Sequence, residues 1–257
     1  MKLALFVLRM RSGFEAADSG ILIWRAKPLL LLLFFGIPAF TILIVTRAFN
    51  LPFYVHFGNE LVLRFLTCVL ALWWLKPLFD RCALQVVSKL FFNRDSTIKE
   101  LCFSLFKNGS RGLVGDLLWR RFSPVRGAAL AMRILEKPTR KQYKERKKIL
   151  VSGGLNFGIY LTIICVILEA VLAIGIYIFL YSVLMLTNTD FPSVFSDALL
   201  CNILLGFYFI NYVLVETLYI AMSFALYINS RVITEGWDLE IIFRQLTKKN
   251  EAGRTHE

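Results

Sequence analysis

Two carboxylates stand in stretches that otherwise read as hydrocarbon-crossing. Glu169 lies in Val-Ile-Leu-Glu-Ala-Val-Leu and Glu216 in Leu-Val-Glu-Thr-Leu-Tyr-Ile. A charge inside a bilayer is costly, so such groups face the interior of a helix bundle and mark function by default. Glu169 comes 14 residues after Leu155, and Glu216 comes 13 residues before Asn229. In antiparallel spans this puts both at similar depth. A close pair could share a proton or hold a cation, because two adjacent carboxylates do not both ionise cheaply. Two structural readings stand beside this one. Either carboxyl could be protonated and join helices by hydrogen bonds, or it could form a salt bridge with Lys76 or Arg64. Tyr160, Tyr177, Tyr208, Tyr212, Tyr219 and Tyr227, with Asn156, Asn202 and Asn211, could complete a polar seam or face headgroups.

The densest basic and aromatic stretch is Trp119-Arg120-Arg121-Phe122-Ser123-Pro124-Val125-Arg126. Arginine is a natural phosphate clamp. The stretch reads either as a lipid-headgroup site or as an anchor that rests on headgroups without choosing among them. Near the end of the chain, Ile233, Trp237, Ile241 and Arg244 recur at i, i+4, i+8 and i+11, an amphipathic interfacial helix. There Glu235, Asp238 and Glu240 can pair with basic residues elsewhere.

Other chemistry is poorly provided for. The only histidines are His56 and His256, and Cys68, Cys82, Cys102, Cys165 and Cys201 form no C-x-x-C pair. They read as free thiols with no metal role. No Walker A, HExxH, GxSxG or GxGxxG pattern occurs. The expectation is a protein with no enzymatic activity, cofactor or metal.

The elements that must position these residues are helical and membrane-bound. Of 257 residues, 57% are hydrophobic and 14% aromatic, the mean hydropathy is positive, and the apolar residues gather in runs long enough to span hydrocarbon, which takes about 20. The net charge of +12 fits basic loops beside anionic headgroups better than nucleic acid. Ser12 and Glu15 form a capping box for a helix with Phe14, Ala17, Ile21 and Trp24 on one face. Residues 1–27 thus read either as an interfacial helix or as an extension of the first span. The apolar run Leu3–Leu8 is too short for a signal-peptide core. Residues 28–79 hold spans one and two, with Trp73 and Trp74 in an aromatic belt beside Lys76.

Residues 80–154 form a basic segment in which seventeen Lys or Arg stand against six Asp or Glu. Its short apolar stripes suggest helices on a membrane surface: Leu84, Val87 and Leu90–Phe91, then Ile98, Leu101, Leu105 and Phe106, then Leu113, Leu117, Leu118 and Trp119. Gly153-Gly154 reads as a helix break. Residues 155–229 hold two overlong spans, which must tilt, kink or project, and residues 230–257 form an amphipathic tail. The fold class is all-α, a polytopic membrane protein with four transmembrane helices and added amphipathic interfacial helices. Its basic flanks predict both termini in the cytoplasm.

Several stretches carry a resemblance: Arg9–Gly20 (RMRSGFEAADSG), Trp73–Arg81 (WWLKPLFDR), Leu118–Arg126 (LWRRFSPVR), Leu135–Glu136, and Leu226–Arg244 (LYINSRVITEGWDLEIIFR). The chain resembles a group of bacterial inner-membrane proteins with R-x-R-S-G-W-E-A-x-D-L-G near the start and L-Y-x-N-R-R-x-x-L-E-x-W-D-x-E-x-x-F-R near the end. It departs at Phe14 and Ser230. Members look like companions of MoxR-type ATPases and transglutaminase-like membrane proteins in envelope operons. The resemblance brings no activity with it. It implies an inner-membrane subunit or scaffold whose partners are the lipid bilayer and other proteins of a membrane complex, with no nucleic acid. The alternative is a small transporter or ion-coupled component using Glu169 and Glu216. The absence of an internal repeat counts against that alternative.

Overall fold

A computed structural model describes residues 10–53, 60–92, 112–186 and 197–236. Eight α-helices follow in order: α1 Gly13–Ala26, α2 Pro28–Phe53, α3 Glu60–Phe91, α4 Leu113–Leu118, α5 Arg126–Glu136, α6 Arg140–Leu150, α7 Phe157–Leu186 and α8 Asp197–Glu235. Four of them, α2, α3, α7 and α8, are long and apolar enough to cross a membrane. The protein is an all-α polytopic membrane protein.

The bundle is built around α8. At 39 residues it is roughly 58 Å long at 1.5 Å per residue, and α1, α2, α3, α5 and α7 all pack on it. Half of its most apolar stretch is buried, against 6% for α7. Leu161 and Cys165 are buried on α7, while Ile167, Val171, Ile174, Ile178 and Phe179 stand exposed. The side chains explain the contrast. Most of α7 is apolar and suited to acyl chains, with Thr162 and Glu169 as its inward polar groups, whereas α8 carries Asn211, Tyr212, Glu216, Thr217, Tyr219 and Ser223, which need protein partners.

α1 is a helix of its own. Ser12 accepts from Glu15 N at 3.3 Å, and Lys27, at φ −147 and ψ 67, breaks the chain before α2. The buried face is Ala16, Ala17, Gly20 and Ile23, turned onto α8. Phe14, from the expected apolar face, stays exposed. A Cβ on Gly20 would fall 2.4 Å from Met222 Cα, so the two backbones nearly touch. Small residues spaced this way let helices dock closely where no hydrophobic force drives them together. Trp24 Nε1 donates to Thr217 Oγ1 at 3.1 Å. Arg11 N donates to Asn229 Oδ1 at 3.0 Å, and Asn229 Nδ2 donates back to Arg11 O at 2.9 Å.

The helix that holds the second span continues past Phe79. α3 runs on to Phe91, and Leu84 and Val87, expected on a membrane surface, are fully buried against the bundle. The stripe Ile98 to Phe106 lies outside the described residues. In the third stripe Leu118 and Trp119 are exposed. At Gly153–Gly154 the chain turns, with Gly154 at φ +96, a conformation that costs other residues a steric penalty. Ser230 Oγ donates to Leu150 O at 2.6 Å beside this break.

Candidate functional site

At the end of the bundle where α5 and α6 pack, charged residues converge inside protein. Lys76 and Asp80 are one helical turn apart on α3, so both face α8 and α5. Lys76 pairs with Glu216 of α8, which is 2% exposed. Arg126 of α5 approaches the same oxygen of Glu216 at 3.8 Å. The rings of Tyr219 and Tyr212 lie 5.8 and 6.0 Å from Lys76 Nζ. Tyr219 OH accepts from Gly127 N at 3.1 Å. A Cβ on Gly127 would strike the Ser223 side chain, so α5 sits tight against α8.

Pro77 shapes the next contact. A proline has no N–H, so the carbonyl four residues earlier, Trp73 O, loses its helical donor. Arg121 Nη2 supplies the missing hydrogen bond at 2.9 Å, while its guanidinium lies 3.4 Å from the Trp73 ring centre.

A second buried carboxylate, Asp116 of α4, holds three arginines. Arg81 Nη2 lies 2.6 Å from Oδ2. Arg133 and Arg120 reach Oδ1 at 2.5 and 3.6 Å. Asp80 is buried among Lys76, Arg126, Glu216 and Asp116. Among the described residues this cluster holds six cations, Lys76, Arg81, Arg120, Arg121, Arg126 and Arg133, and three carboxylates, Asp80, Asp116 and Glu216. Burial pushes the Arg133 guanidinium below its ordinary pKa against the pull of Asp116, with Arg120 and Arg81 adding to the fall. Burial and then Arg126 lower Arg121 likewise. Burial would also lower Arg126, but Glu216 first, with Tyr219 and Asp80, holds it above its usual value.

Two cavities open here. The smaller, about 170 Å³, runs between Trp73, Lys76, Asp80 and Arg121. The larger, about 580 Å³, lies between the 119–123 connection, α5 and α6. Arg120, Arg126 and Arg133 line both.

Around Glu136 lies a separate cluster. Arg146 Nε is 2.6 Å from its Oε2, and Arg146 also pairs with Glu235. Arg231 reaches Glu235 at 2.7 Å and Glu136 at 3.7 Å, and Tyr227 OH donates to Glu136 at 2.8 Å. Glu235 thus meets a basic residue of the 80–154 segment, the kind of contact its sequence position suggested.

The residues singled out from the sequence separate into groups. Glu216, Lys76, Arg120, Arg121 and Arg126 come together. Arg64 does not: it is 12 residues from Lys76 on α3, about 18 Å along the helix. Of the two carboxylates, Glu216 is taken by Lys76 and Arg126. Glu169 is half-buried on α7, with Tyr208 OH donating to it at 3.5 Å and Asn211 Nδ2 to its carbonyl at 3.0 Å. Tyr208 stacks on Tyr212, with centroids 6.2 Å apart, so part of the expected seam exists, while Tyr160 and Tyr177 face outward. Trp119 is 85% exposed. Trp237, Asp238, Glu240 and Arg244 lie outside the described residues. Asp80, Arg81, Asp116 and Arg133 were not singled out from the sequence. The signal for the first two was the helical stripe continuing past Phe79. A lone Asp116 between Gly115 and Leu117 gave none.

Among the described residues no group of His, Cys, Asp and Glu could hold a metal ion, and Cys68 and Cys165 are buried free thiols. The arrangement suits binding of negative charge. Comparison of the chain with protein-family models, with curated proteins and with solved structures finds no match.

Proposed function

We propose that this protein is a non-enzymatic integral subunit or scaffold of a multi-protein complex in the bacterial inner membrane, with both termini in the cytoplasm and the α5–α6 layer as a cytoplasmic docking platform. One observation carries the reading. α6 is clamped to the bundle on one side, through Arg146 to Glu136 and Glu235, while Lys141, Lys144 and Lys148 on its other side are exposed. A rigidly held basic face is a pre-organised surface for an acidic partner. The positive-inside rule supports the cytoplasmic orientation. The hydrogen bonds between Arg11 and Asn229 support placing the two end segments on one side. The pairing of Glu216 with Lys76 and Arg126 supports a structural role for that carboxylate over the ion-coupled alternative.

The test is purification in mild detergent, with and without cross-linking, of the wild type and of K141E/K144E/K148E. The expected result is a partner protein that stays with the wild type and is lost from a folded triple variant. A partnerless wild-type monomer under several conditions, or a partner retained by the triple variant, would overturn the platform.

A further inference from the structure

Among the described residues the charged walls of the larger cavity are all cationic. Arg120, Arg126, Arg133 and Lys147 line it, and no Asp or Glu does among the described residues. The acids behind those cations are already shared. Asp116 serves Arg120 and Arg133 together with Arg81, and Glu216 serves Arg126 together with Lys76. Lys147 has no ion-pair partner among the described residues. Buried Nε atoms of Arg126 and Arg133 have no hydrogen-bond acceptor. Charge removed from water without a counter-ion is strongly disfavoured, and so are unmet buried donors.

We propose that this cavity binds the phosphate-bearing headgroup of an anionic membrane lipid. Arginine forks match phosphate oxygens in pairs. Three of them are fixed before any ligand arrives: Arg120 and Arg133 lie against the Tyr143 ring at 5.1 and 5.9 Å, and Arg126 lies 5.3 Å from that of Tyr219. Ser123 adds a hydroxyl to the wall. The volume falls within the roughly 300–1,000 Å³ of ordinary ligand sites. The mouth distinguishes a lipid from soluble phosphate. Trp119 and Phe122 line the cavity yet stand 85% and 72% exposed, and Leu118 and Val114 beside them are exposed too. A free anion has no use for that apolar rim, whereas acyl chains cover it. Trp73 and Trp74 of α3 are exposed alongside, both within reach of the Arg121 guanidinium, and aromatic side chains of this kind favour headgroup level.

The experiment uses the full chain, delipidated in a neutral detergent. Native mass spectrometry and thermal unfolding are read with phosphatidylglycerol, with phosphatidylcholine of the same acyl chains, and with millimolar sodium phosphate. Phosphatidylglycerol is expected to stay bound and raise the melting temperature; the other two are not. K147Q removes a cation from the cavity wall and is expected to weaken phosphatidylglycerol binding about fivefold, and R120Q/K147Q further. Equal effects from phosphatidylcholine would overturn the proposal, as would unchanged binding by K147Q. An equal effect from sodium phosphate would assign the site to a free anion and overturn the lipid. Should R120Q/K147Q fail to fold, K147Q alone decides. Lys141, Lys144 and Lys148 do not line the cavity, so the lipid site and the docking platform fail independently.

Discussion

Two charged clusters lie near the same end of this bundle, and they are built on opposite terms. Around Glu136 the accounts balance, with Glu136 and Glu235 against Arg146 and Arg231. Around Asp116 and Glu216 six cations surround three carboxylates. The balanced cluster joins α5, α6 and the end of α8 and needs nothing further, so it acts as a clasp. The unbalanced one is more deeply buried and, among the described residues, has fewer carboxylates than cations, so it acts as a receptor for an anion.

The comparison breaks most visibly at Glu216. E216Q strands Lys76 in the interior with Arg126 close by, and is expected to destabilise by about 3–5 kcal/mol, read by thermal unfolding in detergent. K76M/E216Q should recover most of that, since no unpaired Lys76 charge is left. A single variant as stable as wild type would show that the pair is solvated. D116N comes next, at about 3 kcal/mol, because Arg81 and Arg133 lose their partner. Part of this loss should return when phosphatidylglycerol is added, since D116N increases the positive surplus. E136Q in the balanced clasp is expected to cost about 1–2 kcal/mol, and the same lipid should leave that deficit unchanged. Equal lipid rescue of D116N and E136Q would erase the distinction drawn here. The smallest effect concerns Arg121. R121M should cost about 1 kcal/mol in the wild type and less in P77A, where the restored N–H at position 77 answers Trp73 O. A double-mutant cycle measures the difference.

Much of this was legible from residue order. Four spans followed from the length of apolar runs, and the break at Gly153-Gly154 from two adjacent glycines. For Glu216 the sequence offered Lys76 or Arg64 as a partner and did not choose between them. A helix turns by about 100° per residue, so two carboxylates at one depth meet only if both helices are also rotated toward each other. Rotation is decided by all the neighbours at once. Lys76 was one of the two basic partners considered, and it meets Glu216 because α3 packs against that part of α8. The continuation of α3 past Phe79 was not legible because Asp80 and Arg81 read as polar boundary residues. They are interior residues of a continuing helix, made tolerable there by Lys76 one turn back and by Asp116 and Arg126, which the chain brings from elsewhere. α1 was read by its larger side chains. Its docking face is set by Ala16 and Gly20, where absence of bulk is the signal.

The bidentate link between Arg11 and Asn229 joins positions 218 residues apart, and Gly20 sits against Met222 within the same contact. This has a consequence for biosynthesis. α1 is made first, yet its docking surface belongs to the last span. At about 5–20 residues per second, translation of the intervening chain takes roughly ten to forty seconds, during which the small-residue face of α1 has no seat. The nascent chain therefore carries a waiting element, and the bundle locks only once α8 has been inserted.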